Sequence, residues 1–206
     1  MKKIHVNFLE PPHEELDILL KYYQAGRYVE AEKLATSITQ EFPEHQFAWK
    51  VLGAALKQTV RINESLVAMQ KSVQLDPQDA EAHSNLGVIL KELGKLEESE
   101  TSHRQAIVLK PNYAKAHSNL GITLLGLGRL KESEASYKQA IALKPNYFEA
   151  YSNLGVTLQE LGRLNEACSA YIQAISLNPD FADAYENLGI AIKNVRFNSS
   201  NVKLYP

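Results

Sequence analysis

A proline returns every 34 residues through most of this chain, at Pro43, Pro77, Pro111, Pro145 and Pro179. A Leu-Gly pair keeps the same step at Leu52-Gly53, Leu86-Gly87, Leu120-Gly121, Leu154-Gly155 and Leu188-Gly189. So does a small residue at Ala31, Ser65, Ser99, Ser133 and Ala167. A period of this length argues against one closed globular core. It predicts an array of similar units, each packing only on its neighbours.

Within a period the punctuation predicts two helices. In the middle units one helix runs to just before Gly94, Gly128 or Gly162, where glycine suits a helix end. A Lys/Arg-Leu pair then opens a second helix, which continues through Ala106-Ile107, Ala140-Ile141 or Ala174-Ile175 until the recurring proline stops it. Leu86, Gly87 and Leu90 share one helix face, as do Leu120, Gly121 and Leu124. Packing accounts for almost every strongly apolar residue and leaves no spare apolar pocket for a cofactor. Val60 replaces the glycine between helices in the second unit, and Leu19 stands where the first unit should carry the glycine of Leu-Gly. These larger residues predict a different curvature at that end.

The 34-residue period, the Leu-Gly pair, the small residue and the closing proline together resemble the tetratricopeptide-repeat family over nearly the whole chain. The resemblance implies an all-α fold, a right-handed α-solenoid of stacked helix-turn-helix units with a concave inner face. The expected layout is an N-terminal arm at 1–11, then five units at 12–45, 46–79, 80–113, 114–147 and 148–181. A lone capping or truncated sixth-unit helix follows at 182–195, and a tail at 196–206.

Composition narrows the function. A formal net charge of −2 offers no electrostatic handle for nucleic acid or an anionic membrane. One cysteine, Cys168, excludes an internal disulfide framework and fits a reducing compartment. With no signal peptide and no membrane-spanning run, the expected location is cytoplasmic. There is no phosphate loop, zinc-spaced cysteine pair or nucleophile elbow, so the chain reads as a non-enzyme without cofactor or metal. His83 and His117 hold matching positions one unit apart. Helix spacings of about 8–10 Å are too wide for both to reach one zinc, and Trp49, Tyr151 and Tyr185 fill the same position.

One polar row remains. Asn85, Asn119, Asn153 and Asn187 precede Leu-Gly in four successive units, although mid-helix asparagine costs roughly 0.7 kcal/mol against alanine. The family resemblance sets this row, with Val88, Ile122, Val156 and Ile190 three residues on, along the concave groove. The row itself is similar to the asparagine ladder in the repeats of O-linked N-acetylglucosamine transferase. A carboxamide can satisfy a peptide N–H and C=O together. At about 3.3 Å per extended residue, steps of about 10 Å clamp every third residue of a guest. Ser84, Ser118 and Ser152 are expected to leave room beside the row. Against this stands simple inheritance: duplicated units repeat one asparagine, which serves the solenoid by bonding the next unit. The two-carboxylate clamp for chaperone tails needs asparagine where Val88, Ile122, Val156 and Ile190 stand, and it is absent.

The expected function is therefore a non-catalytic protein-protein interaction scaffold that binds an extended peptide or disordered protein segment in its groove. Two alternatives stay open. One is the targeting or substrate-recruiting arm of a larger enzyme such as a transferase. The other is a self-assembling scaffold with weak end-to-end association through its open C-terminal helix.

Overall fold

A computed structural model describes residues 10–202, with side chains through Arg196. Among the described residues there are eleven helices and no strand: α1 (His13–Gln24), α2 (Tyr28–Glu41), α3 (Gln46–Gln58), α4 (Ile62–Leu75), α5 (Ala80–Glu92), α6 (Leu96–Leu109), α7 (Ala114–Gly126), α8 (Leu130–Leu143), α9 (Phe148–Glu160), α10 (Leu164–Leu177) and α11 (Ala182–Val202). The fold is an all-α solenoid, in which odd-numbered helices open each repeat and even-numbered helices close it. Contacts group the chain into two compact units, one carrying α1–α5 and the other α6–α11.

The turn between the two helices of a repeat is built by a left-handed residue. At Gly128, φ is +72°. Its N–H donates to Leu125 O, and the N–H of Arg129 reaches back to Leu124 O, both at 2.9 Å. This double closure satisfies carbonyls that the helix end leaves open. Val60 makes the same turn with φ +62°, and Arg61 N–H donates to Leu56 O at 2.9 Å. The Val60 turn thus keeps the backbone path of the glycine turns. Its β-branched side chain is 81% exposed and held in a region such residues avoid.

Three turn arginines, Arg61, Arg129 and Arg163, bond both backward and forward. Arg163 donates to Glu134 of the preceding repeat at 2.7 Å and to Glu166 at 2.5 Å. Arg129 does the same with Glu100 at 2.6 Å and Glu132 at 2.5 Å. In the N-terminal unit Arg61 pairs with Glu32 and Glu64.

The Leu-Gly pair marks where the two helices of a repeat touch. A Cβ added at Gly121 would lie 2.8 Å from the Tyr137 ring, and one at Gly155 only 2.5 Å from the Tyr171 ring. In the N-terminal unit Met69 fills this place under Gly53. The recurrent small residue closes the contact: Ser133 Oγ donates to Gly121 O at 2.8 Å, and Ser65 Oγ to Gly53 O at 2.6 Å. A bulkier side chain there would push the helices apart. Tyr137 and Tyr171 are fully buried within the core of the C-terminal unit, among Ala140, Ala150, Leu154, Leu158 and Ala167. The core of the N-terminal unit is centred on Leu19, Ala35, Ile38, Ala48 and Ala55.

Two expectations need correction. The last helix does not end near Val195; α11 continues through Val202. The segment from Arg196 to Val202 holds no proline or glycine to stop it, and asparagine and serine are merely weak helix formers. The rest of the expected tail, 203–206, and most of the expected arm, 1–9, lie outside the described residues. Nor does packing absorb almost every apolar side chain, because Val67, Val108 and Ile172 on the closing helices stay more than half exposed.

Candidate interaction face

The first helices of the repeats carry the asparagine row. In the C-terminal unit α7 touches α9, and α9 touches α11, so Asn119, Asn153 and Asn187 recur on neighbouring helices of one unit. Asn85 and Val88 occupy the matching places on α5 in the N-terminal unit. All four asparagines are half-buried, as are Val88, Ile122 and Val156, while Ile190 is exposed. Ile122 and Val156 rest against the core with one side and leave the other accessible.

The hydrogen bonding of these asparagines separates backbone from side chain. The carbonyls of Asn119 and Asn153 accept the hydroxyls of Thr123 and Thr157, each at 3.1 Å. The carboxamides of Asn85, Asn153 and Asn187 make no hydrogen bond to any described residue. A half-buried carboxamide carries two donors and an acceptor, and leaving them without a protein partner forfeits stabilisation that such groups ordinarily gain.

The serines behave otherwise than expected. Ser84, Ser118 and Ser152 are all buried, 0–4% exposed, and face the interior instead of leaving room beside the row. At 100° per residue a side chain one position before the asparagine points well away from it. Val51, which replaces the asparagine in the second repeat, is likewise buried.

The histidines have structural employment. His83 Nε2 donates to Pro77 O at 3.1 Å, and His117 Nε2 to Pro111 O at 2.9 Å. Trp49 Nε1 makes the same bond to Pro43 O at 2.8 Å. At this position the side chain thus ties α3, α5 and α7 to the carbonyl of the proline before each. Among the described residues no group of three or more His, Cys, Asp or Glu side chains could hold a metal.

Sequence reasoning missed the polar knot of the N-terminal unit. Asp79 caps α5 by accepting from Glu81 N at 2.8 Å and Ala82 N at 3.0 Å. The same carboxylate accepts from Lys50 Nζ and Gln46 Nε2, both at 2.9 Å. Burial opposes the charge on Asp79, yet Lys50, the Ala82 amide and Gln46 prevail and hold its carboxyl below the usual range. An Asp immediately before the first residue of a helix was the visible signal. Its distant partners were not.

The closing helices of the C-terminal unit shape two open depressions at equivalent positions. One, of about 380 Å³, lies over Ile107, His117 and Leu120; the other, of about 310 Å³, over Tyr151, Leu154 and Leu158. Both are shallow and mostly apolar, with Arg104 and Gln139 at the first and Lys138, Glu166 and Gln173 at the second.

Helical hairpins repeating on a 34-residue period, joined by glycine-type turns and carrying a half-buried polar row on their first helices, define a helical-repeat protein. The chain belongs to the tetratricopeptide-repeat family. A TPR repeat model matches residues 88–128, 124–162 and 158–194, and a second tetratricopeptide repeat model matches residues 68–101. No curated protein matches the chain. Similar solved structures include TTC0263, a thermophilic TPR protein in Thermus thermophilus, at 26% identity and TM-score 0.70, covering 87% of this chain and 97% of that one. MamA is similar at 23% identity and TM-score 0.69, covering 82% and 92%. YrrB, a TPR protein with an unusual peptide-binding site, is similar at 17% identity and TM-score 0.68, covering 85% and 91%. At such identities the likeness to MamA and YrrB concerns the fold. No helix among the described residues is long and apolar enough to cross a membrane.

Proposed function

We propose that this chain is a non-catalytic interaction scaffold that holds an extended peptide, or a disordered segment of a partner protein, against its first helices. In the C-terminal unit the carboxamides of Asn119, Asn153 and Asn187 grip the guest backbone, and Ile122, Val156 and Ile190 supply the apolar floor. Asn85 and Val88 offer the same pair in the N-terminal unit. The observation that carries this reading is the unused hydrogen-bonding capacity of Asn85, Asn153 and Asn187. If these asparagines served only to bond the next repeat, their carboxamides should be engaged there. A peptide-binding site is also what YrrB, of the same fold, is described as carrying. Backbone gripping reads no side chains, so selectivity falls to the exposed Lys115, Glu149 and Asp183 beside the row. Affinity is expected to be modest, because ordering a flexible guest offsets much of the contact energy.

The test is titration of a library of unstructured peptides against the wild type and against a variant with Asn85, Asn119, Asn153 and Asn187 all changed to Ala. Thermal melts show that both are folded. Binding by the wild type and its loss in the folded variant is the expected result. Equal binding by both, or none by either, would sink the proposal.

A further inference from the structure

The last helix exposes a face that every comparable helix in its unit keeps covered. In α7, Leu120 and Leu124 are 4% and 1% exposed; in α9, Leu154 and Leu158 are 7% and 4%. Ile192 of α11, in the register position of Leu124 and Leu158, is 40% exposed. The glycines tell the same story. A Cβ at Gly121 or Gly155 would strike a tyrosine of the closing helix, whereas one at Gly189 meets nothing within 4 Å. By register a closing helix would start near Asn198, but α11 runs unbroken past that point to Val202. A neighbouring side, about 100° around the helix, is firmly seated, with Ala184 and Ala191 fully buried and α10 packed against α11.

The open stripe runs Tyr185, Gly189, Ile192, at the i, i+4, i+7 spacing of one helix face, with Leu188 half-buried against the core at its edge. It is flanked by charges of opposite sign at its two ends: Glu186 early, Lys193 and Arg196 late. A parallel neighbour of the same kind would set like charges together. An antiparallel copy brings acid alongside base at both ends. It also sets Tyr185 of each chain over Ile192 of the other, while the missing Cβ of Gly189 lets the two backbones approach at the crossing. Such a contact is self-complementary in the sense that two-fold symmetry requires.

We propose that α11 is a homodimerisation helix, pairing antiparallel with α11 of a second copy about a two-fold axis that passes beside Leu188 and Gly189. The interface consumes the open stripe of both chains and closes at two copies, so no open-ended filament grows from it. The peptide-binding row of α11, Asn187 and Ile190, points about 100–160° around the helix from Gly189 and stays outside the contact.

Sedimentation and light scattering over a concentration series test this directly. The expected mass climbs from one chain to a plateau at two. Ile192→Glu, at an already exposed position, is expected to remain monomeric while keeping the wild-type helical signal and melt. Glu186→Lys or Lys193→Glu alone is expected to weaken dimerisation by about three- to tenfold, since each pair occurs twice, and the double exchange is expected to restore it. Independently, Gly189→Cys in a Cys168→Ser background is expected to yield a disulfide-linked dimer under mild oxidation, because only close crossing brings two such residues within reach. A wild type that stays monomeric at every concentration would overturn the proposal and leave the stripe to a different partner. So would mass growing beyond two chains, a dimer that Ile192→Glu leaves intact, or a dimer that Gly189→Cys fails to cross-link.

Discussion

Single residues decide how closely the helices of a repeat approach and how the chain turns between them. Val60 carries a conformational penalty that glycine escapes in the other turns. A left-handed conformation costs a residue with a branched Cβ about 1–2 kcal/mol, and the entropy that glycine loses on folding returns part of it. Val60→Gly is therefore expected to stabilise the protein by about 0.5–1 kcal/mol in denaturant unfolding, with no change in helix content. The reverse logic holds under the Leu-Gly pair. Gly155→Ala drives a methyl into the Tyr171 ring, which is fully buried and has nowhere to move, and overpacking of this kind costs about 1–3 kcal/mol. Gly189→Ala, meeting open space in mid-helix, is expected to gain up to about 1 kcal/mol of helix propensity. Melts of the two alanine variants at high dilution should move in opposite directions.

At the scale of the element, α5 is held by its N-terminus as well as by its face. Asp79 joins a helix cap to two side chains of α3, Gln46 and Lys50. Asp79→Ala removes the cap and leaves the largely buried Lys50 ammonium to Glu81, at 3.2 Å, and is expected to cost about 1–2 kcal/mol. The sign of the pH dependence follows from the lowered carboxyl. Its contribution is fully present above the unfolded value near 4, and it fades as pH falls below that toward the depressed folded value. Acid unfolding of the variant should accordingly show a shallower dependence over that range than the wild type. These elements also show what a sequence can and cannot disclose. The helix pairs were legible because proline, glycine and the small residue act locally, within a turn or one interhelical contact. The asparagine row was legible because repetition exposes it. The inward aim of Ser84, Ser118 and Ser152 follows from helix rotation and could have been anticipated. The knot at Asp79 could not, since its members lie about 30 residues apart in the chain and meet only after packing. The full length of α11 escaped notice because weak helix formers allow either outcome until tertiary contacts decide.

For the molecule as a whole, the two compact units differ in what fills the space under the Leu-Gly pair: Met69 in one, Tyr137 and Tyr171 in the other. Burial pushes the Tyr171 hydroxyl up to about 12 and drives that of Tyr137 strongly upward as well. Tyr171 keeps one long bond to Gln159 Oε1, at 3.4 Å. The Tyr137 hydroxyl has no aligned partner, since the nearby Ser133 is committed to Gly121 and Thr157. A raised folded value means that stability is full below the unfolded value near 10 and is lost as pH climbs through the folded one. The unit with the tyrosines is expected to unfold first in alkali. Melts between about pH 8 and about pH 11 should show the loss, and Tyr171→Phe should blunt it.

The backward reach of the turn arginines bears on how the chain is made. Arg61, Arg129 and Arg163 each grasp a glutamate about 30 residues earlier, already synthesised when the arginine itself is added. A nascent chain grows at about 5–20 residues per second and folds from its N-terminal side. It can therefore latch these three repeats onto the ones before them within seconds of their emergence, without waiting for anything still inside the ribosome.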